Sequence, residues 1–310
     1  MINLAEKKTN PLKALFTNLY RHRIVYLMFV PVAAYYIIFH YYPMYGALIA
    51  FKNYVPAGGF NAEWVGFKHF QSFFDSYYFV RLIKNTLLIS INTLIFSFPA
   101  PILLALLLNE VRSNKYKRLV QTVTYLPHFL SIMVICGMIH TFFSSTGFVS
   151  NIIVALGGKA KNFLMEPSAF RPLYIGSGIW QSIGWNSIVY LAALSGIDPS
   201  LYEAARIDGA GRFRQALHIT LPGIAPTIVV LFILRIGSLM NVGYEKIILL
   251  YNDLTMETAD VISSFVYRKG LLNADYSYSA AVGMFNSVIN FILVILANTL
   301  SRAVQETSLW

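Results

Sequence analysis

An all-α, membrane-embedded helix bundle is the fold class the sequence predicts, and three observations predict it. Hydrophobic residues make up 56% of the 310-residue chain and charged residues 12%, about half the charged share of an ordinary soluble domain. Apolar runs of ~20 residues, the length a helix needs to cross ~30 Å of hydrocarbon, recur along the chain. The formal charge of +10 lies beside those runs and forms no aromatic-laced patch, so it reads as membrane topology and excludes a nucleic-acid surface.

Six spans are expected, at about 24–44, 84–108, 120–142, 172–194, 223–243 and 279–301. The first follows Lys7, Lys8, Lys13, Arg21 and Arg23, an arrangement shared with signal peptides. Its apolar run is too long for a signal-peptide core and has no convincing small-residue cleavage site, so it reads as a retained span. The third and fourth contain "YLPHFLSIMVICGMIH" and "IWQSIGWNSIVYLAAL", whose polar residues need a protein neighbour or a water-filled cavity at membrane depth. The chain thus divides into a tail at 1–23, a membrane domain at 24–301 that includes an inserted loop at 198–222, and a tail at 302–310.

Orientation follows from the basic residues. The two tails and the connections after the second and fourth spans hold 13 Lys or Arg against 6 Asp or Glu, and the remaining connections, counting Lys84 at the edge of the second span, hold 10 against 8. The positive-inside rule therefore puts both termini and residues 198–222 in the cytoplasm. The outer connections, roughly 45–83, 143–171 and 244–278, are long enough to cap the bundle or meet an external protein. The single cysteine, Cys136, precludes an intrachain disulfide.

The inserted loop reads "DPSLYEAARIDGAGRFRQALHITLP". Asp198 can cap a helix with Pro199 in its first turn, and Ser200 with Glu203 offers an alternative capping box. Leu201, Ala204, Ala205 and Asp208 then share a face with small residues in its middle. Gly209 and Gly211 permit a reversal into a second short helix ending before Pro222. By itself this could be a solvated hairpin or a knob that fits a groove on another protein.

The stretch resembles the EAA loop of binding-protein-dependent ABC importer permeases. Glu203, Ala204 and Ala205 open it, Gly209 is its central glycine, and Leu221 and Pro222 close it. The resemblance extends to the expected span order and to "YYPMYGALIAFKNY", and is nearest to the sugar and oligosaccharide branch. It implies a type I ABC importer-like fold with a short cytoplasmic coupling helix that docks on an ATPase. Glu203 would make a polar contact there, Ala204 and Ala205 would allow close packing, Asp208 would belong to the same surface, and Gly209 would make the turn. The implied assembly sits in a bacterial cytoplasmic membrane. It holds a second, related permease, two ATP-binding subunits and an extracytoplasmic solute-binding protein, and its implied cargo is oligosaccharide, including polysaccharide fragments.

Three groups of residues are candidates for the path. Arg235, deep in the fifth run, must pair, reach water or line a cavity. Asn241, Tyr244 and Glu245 combine polar groups with an aromatic surface, as sugar recognition requires, and Asn241 and Glu245 are spaced to share a helical face. Trp180, Gln181, Trp185 and Asn186 offer the same chemistry on the fourth span, with interface anchoring as the alternative. His128 and His140 lack metal-site spacing. No P-loop, HExxH or GxSxG sequence occurs, so the chain reads as noncatalytic and without a cofactor, ATP and Mg being bound by partner subunits. A secondary transporter or a membrane scaffold would share the spans but does not require the EAA pattern.

Overall fold

The computed structural model describes residues 20–305; the remainder of both expected tails lies outside the described residues. The chain folds into helices α1 (Arg23–Phe51), α2 (Lys68–Phe74), α3 (Tyr78–Glu110), α4 (Asn114–Tyr125), α5 (Ile132–Ala155), α6 (Pro167–Ser195), α7 (Pro199–Ile207), α8 (Arg212–Gly237), α9 (Tyr244–Leu250), α10 (Ile262–Tyr267) and α11 (Tyr276–Gln305).

The expectation of six spans is corrected. Among the described residues five helices are long and apolar enough to cross a bilayer: α1, α3, α5, α8 and the Tyr276–Arg302 part of α11. The expected span at 172–194 falls within α6, which has ample length at 29 residues. Gln181, Asn186 and its serines and glycines dilute its apolar content, and one of its faces lines a cavity.

Two other boundaries move for local reasons. The expected third span, 120–142, is cut in two by a 3₁₀ turn at Leu126–Phe129 around Pro127. Proline cannot donate to the helix ladder, and Ser131 starts α5 afresh by accepting a hydrogen bond from the Val134 N–H at 3.3 Å. Ser113 caps α4 in the same way. The fifth span ends at Gly237 instead of 243, and a non-helical link at 238–243 leads into α9. Asn241 and Glu245 therefore do not share a helical face.

Helix α6 is the centre of the bundle and packs against α3, α4 and α8. At one end Ile102, Ala105, Tyr190, Leu194 and Ile224 join α3, α6 and α8. In a bilayer such contacts hold by close packing, since lipid already solvates apolar surface, and small residues let helices approach. Gly184 is the clearest case: a Cβ there would lie 2.2 Å from the Thr124 carbonyl oxygen of α4. Only glycine fits that crossing.

At the end of the bundle opposite α7, polar ties replace apolar packing. Asp260, 1% exposed, takes Arg268 at 2.7 Å and Arg81 at 3.5 Å. Asn85 donates to the Glu257 and Asp260 carbonyls and accepts from Arg171 at 2.9 Å. The network joins α3, α6 and α10 around one buried carboxylate. Helix α1 contrasts with all of this, because none of its most apolar window is buried within the chain.

Candidate functional site

Two features divide the expected site residues. The first is a half-open cavity of about 590 Å³ walled by α3, α6, α8 and α9. Helix α6 contributes Tyr174, Gly178, Gln181, Ser182, Trp185, Asn186, Val189 and Tyr190, positions that recur every three or four residues and so form one face. Arg235 enters from α8, close to Ser238, and Lys246 from α9. Among its lining residues are two cations and no carboxylate.

The cavity brings together Gln181, Trp185, Asn186 and Arg235 from the sequence-derived candidates. The Trp185 ring stacks on His128 with centroids 4.5 Å apart and an interplanar angle of 2°, while Gln181 donates to the Leu130 carbonyl at 3.4 Å. Trp180 lies instead in a separate apolar hollow with Ile135, Ile139 and Phe142. The Asn241 Oδ1 accepts from Asn286 and Asn290 at 3.0 and 2.9 Å, which ties the 238–243 link to α11. Tyr244 stacks on Tyr267, and Glu245 is exposed; neither lines the cavity.

Lys246 and Tyr174 are cavity residues that sequence reasoning missed. Lys246 sits in what reads as an outer connection, and its burial at 6% exposure is a tertiary property. The two are linked: Lys246 Nζ donates to the Tyr174 carbonyl at 2.8 Å and lies 4.8 Å from the Tyr174 ring centroid.

The second feature is the loop at 198–222. Of the two capping schemes, Asp198 is the one that forms: its carboxylate accepts from the Ser200 N–H at 2.9 Å. That backbone hydrogen bond, helped by the Ser200 side chain, holds the Asp198 carboxyl below its ordinary range. Helix α7 ends in a Schellman motif. The Ala210 N–H bonds the Ala205 carbonyl at 2.8 Å and the Gly209 N–H bonds that of Arg206 at 3.1 Å, with Gly209 at φ +75°. Glycine is suited to this left-handed position because it lacks a Cβ.

The two limbs of the loop are cross-braced. Gln215 Nε2 donates to the Ala210 carbonyl at 2.7 Å, and the Tyr202 and Thr220 hydroxyls share a hydrogen bond of 3.1 Å. Glu203, Ala204, Asp208 and Gly209 are exposed and Ala205 is half-buried. Leu221 and Pro222 begin the uninterrupted α-helical part of α8. Ile207 and Phe213, 87% and 78% exposed, add apolar surface that the sequence pattern did not single out. Beside them a cleft of about 770 Å³ is lined by Glu110, Arg112, Glu203, Arg206 and Arg212. Arg212 and Glu110 pair across it at 3.8 Å, an exposed contact worth little by itself.

Among the described residues no group of three or more His, Cys, Asp or Glu could hold a metal. The family model described as "Binding-protein-dependent transport system inner membrane component" matches residues 97–306, more than half of the chain. Protein LplB of Bacillus subtilis (strain 168) is 46% identical over 292 residues, covering 94% of this chain and 92% of the relative. The polygalacturonan/rhamnogalacturonan transport system permease protein YteP of the same strain is 45% identical over 300 residues, covering 96% and 94%. A crystal structure of a bacterial ABC transporter involved in the import of the acidic polysaccharide alginate superimposes with a TM-score of 0.88 at 47% identity, covering 94% of this chain and 99% of that one. The chain belongs to the binding-protein-dependent transport system inner membrane components, as a noncatalytic permease subunit of the sugar and oligosaccharide ABC-importer branch.

Proposed function

We propose that this chain supplies one wall of a passage for polysaccharide-derived oligosaccharides, and that residues 198–222 couple that wall to a cytoplasmic ATPase. The observation that carries the reading is that α6 and α8, which line the cavity, are also the helices joined by the loop. A displacement of α7 is therefore a displacement of both cavity walls. The Schellman turn, the Gln215–Ala210 bond and the Tyr202–Thr220 bond make the loop stiff enough to pass on such a movement.

Glu203, Ala204, Ala205, Asp208 and Gly209, with Ile207 and Phe213, form the ATPase-facing surface in this reading. Gln181, Trp185, Asn186 and Arg235 meet the sugar. Aromatic faces and amide or hydroxyl groups side by side suit sugar rings, which present both C–H faces and O–H groups. YteP and the alginate transporter handle polymers by their names, and likeness to them favours polysaccharide fragments here.

Because the cavity is half-open and the most apolar window of α1 is unburied among the described residues, a second, related permease completes the passage. Both termini face the cytoplasm, on the charge asymmetry of the sequence. ATP-driven closure of an ATPase pair then selects between two arrangements of the walls.

The test is ATP hydrolysis by the reconstituted complex, with its second permease, ATPase and binding protein, across a panel of oligosaccharides. Stimulation by oligosaccharide that vanishes in Ala205→Trp while the complex still assembles supports the reading. Hydrolysis indifferent to every ligand and to the substitution sinks it.

A further inference from the structure

We propose that Lys246 reads the charge of the transported sugar, accepting oligosaccharides that carry carboxylates and rejecting neutral ones. This assignment rests on the oligosaccharide-permease reading and narrows its substrate class.

The argument begins from an unbalanced charge. Lys246 lines the cavity yet is only 6% exposed, and none of the ion pairs among the described residues includes it or Arg235. Glu245, its chain neighbour, is exposed and forms no such pair. A buried ammonium with no counter-anion is expensive. A leucine or methionine would fill the same space at no such cost, so packing does not account for a lysine there.

The ammonium is held in place. One of its three donors goes to the Tyr174 carbonyl at 2.8 Å, and its charge lies over the Tyr174 ring. The other two donors have no protein acceptor among the described residues, and they belong to a side chain in the cavity wall. Gly178 of α6 borders the ammonium: a Cβ there would lie 3.6 Å from Nζ, in ordinary van der Waals contact.

A carboxylate fits what remains. It would accept charge-assisted hydrogen bonds from Nζ and neutralise the buried cation, and Arg235 supplies a second cation to the same cavity. A neutral sugar leaves the ammonium both desolvated and unpaired, which discriminates against it without any steric clash.

The experiment compares wild type, Lys246→Met and Lys246→Arg in the full reconstituted transporter. Each is stimulated by a galacturonic-acid tetrasaccharide and by its methyl ester, with ATP hydrolysis as the readout and size-exclusion to confirm assembly. Because the binding protein is common to all three, its own preference cancels in the variant-to-wild-type ratio.

Lys246→Met is expected to raise the half-stimulating concentration of the acid by roughly thirtyfold, the scale for deleting one partner of a buried charge pair. The arginine variant should restore it to within about threefold, since the cation is kept. Any response to the ester should change by less than about twofold. An equal loss for acid and ester, no loss for the acid, or no rescue by arginine overturns the assignment and leaves the oligosaccharide reading standing. A wild-type complex that answers the ester but not the acid also overturns it. Silence towards all oligosaccharides would remove the reading beneath it as well.

Discussion

The hydroxyls of Tyr202 and Thr220, eighteen residues apart in sequence, meet at 3.1 Å and join the two limbs of the loop across its glycine turn. Tyr202 is half-buried in α7, and Thr220 is buried at the start of the helical run that reaches the cavity. The contact makes one rigid body of what would otherwise be two short helices on a hinge.

Tyr202→Phe should therefore weaken coupling without disturbing assembly. A typical hydrogen bond of about 1 kcal/mol corresponds to about a fivefold change in the population of the braced loop. Ligand-stimulated ATP hydrolysis by the reconstituted complex should fall by a factor of that order, with ligand affinity unchanged. A variant with undiminished stimulation would show that the brace is dispensable.

Response to acidic sugar should depend on pH. Burial lowers Lys246 to about 8, opposed by a smaller effect of Cys136. Around it are Cys136 from α5 and Tyr174 from α6, with Arg235 of α8 and the exposed Glu245 of α9 both acting on Tyr174. Below that value the empty site is already cationic. Above it, binding a carboxylate must take up a proton, so the half-stimulating concentration should rise roughly tenfold between about pH 7 and pH 9. The Lys246→Arg profile should be flat over the same range, and a wild-type profile just as flat would exclude titration at this residue.

Gly184→Ala tests the crossing of α4 and α6. With the Thr124 carbonyl oxygen 2.2 Å from the new Cβ, the helices must separate, at a cost of about 1–3 kcal/mol. The thermal midpoint of the purified complex should drop. Gly178→Ala, whose Cβ would meet only Nζ of Lys246 at 3.6 Å, should leave that midpoint unchanged and alter the ligand response instead.

Asp260→Ala removes the one carboxylate shared by Arg81 and Arg268. Deleting one member of a buried charge network leaves the others uncompensated and costs about 3–5 kcal/mol. Loss of thermal stability with and without ligand is expected. An unchanged midpoint would mean that solvent already screens the two guanidinium groups.

The features legible in the sequence are those set by local chemistry. The loop at 198–222 carries its own cap, turn glycine and small-residue face, and the structure forms the Asp198 cap and the Gly209 turn from those residues. Long apolar runs give α1, α3, α8 and α11 because spanning length is a one-dimensional property. What escaped was decided by neighbours distant in sequence. The polarity of α6 follows from the cavity it lines, so a hydropathy count cannot separate it from a poor span. Lys246 reads as a loop residue until α9 folds against α6 and α5. Asn241 and Asn186 look alike in sequence, yet one is bonded to α11 and the other lines the cavity.

Under the proposed pairing with a second permease, the half-open cavity has an evolutionary consequence. If two different genes each encode one side of a conduit, its selectivity is inherited in two instalments. A mutation that reverses a charge on one side can be tried against an unaltered opposite side, and a duplicated gene can exchange partners before either is lost. Selectivity then shifts from one polymer to another by re-pairing existing halves, with the motor and its joint left as they were.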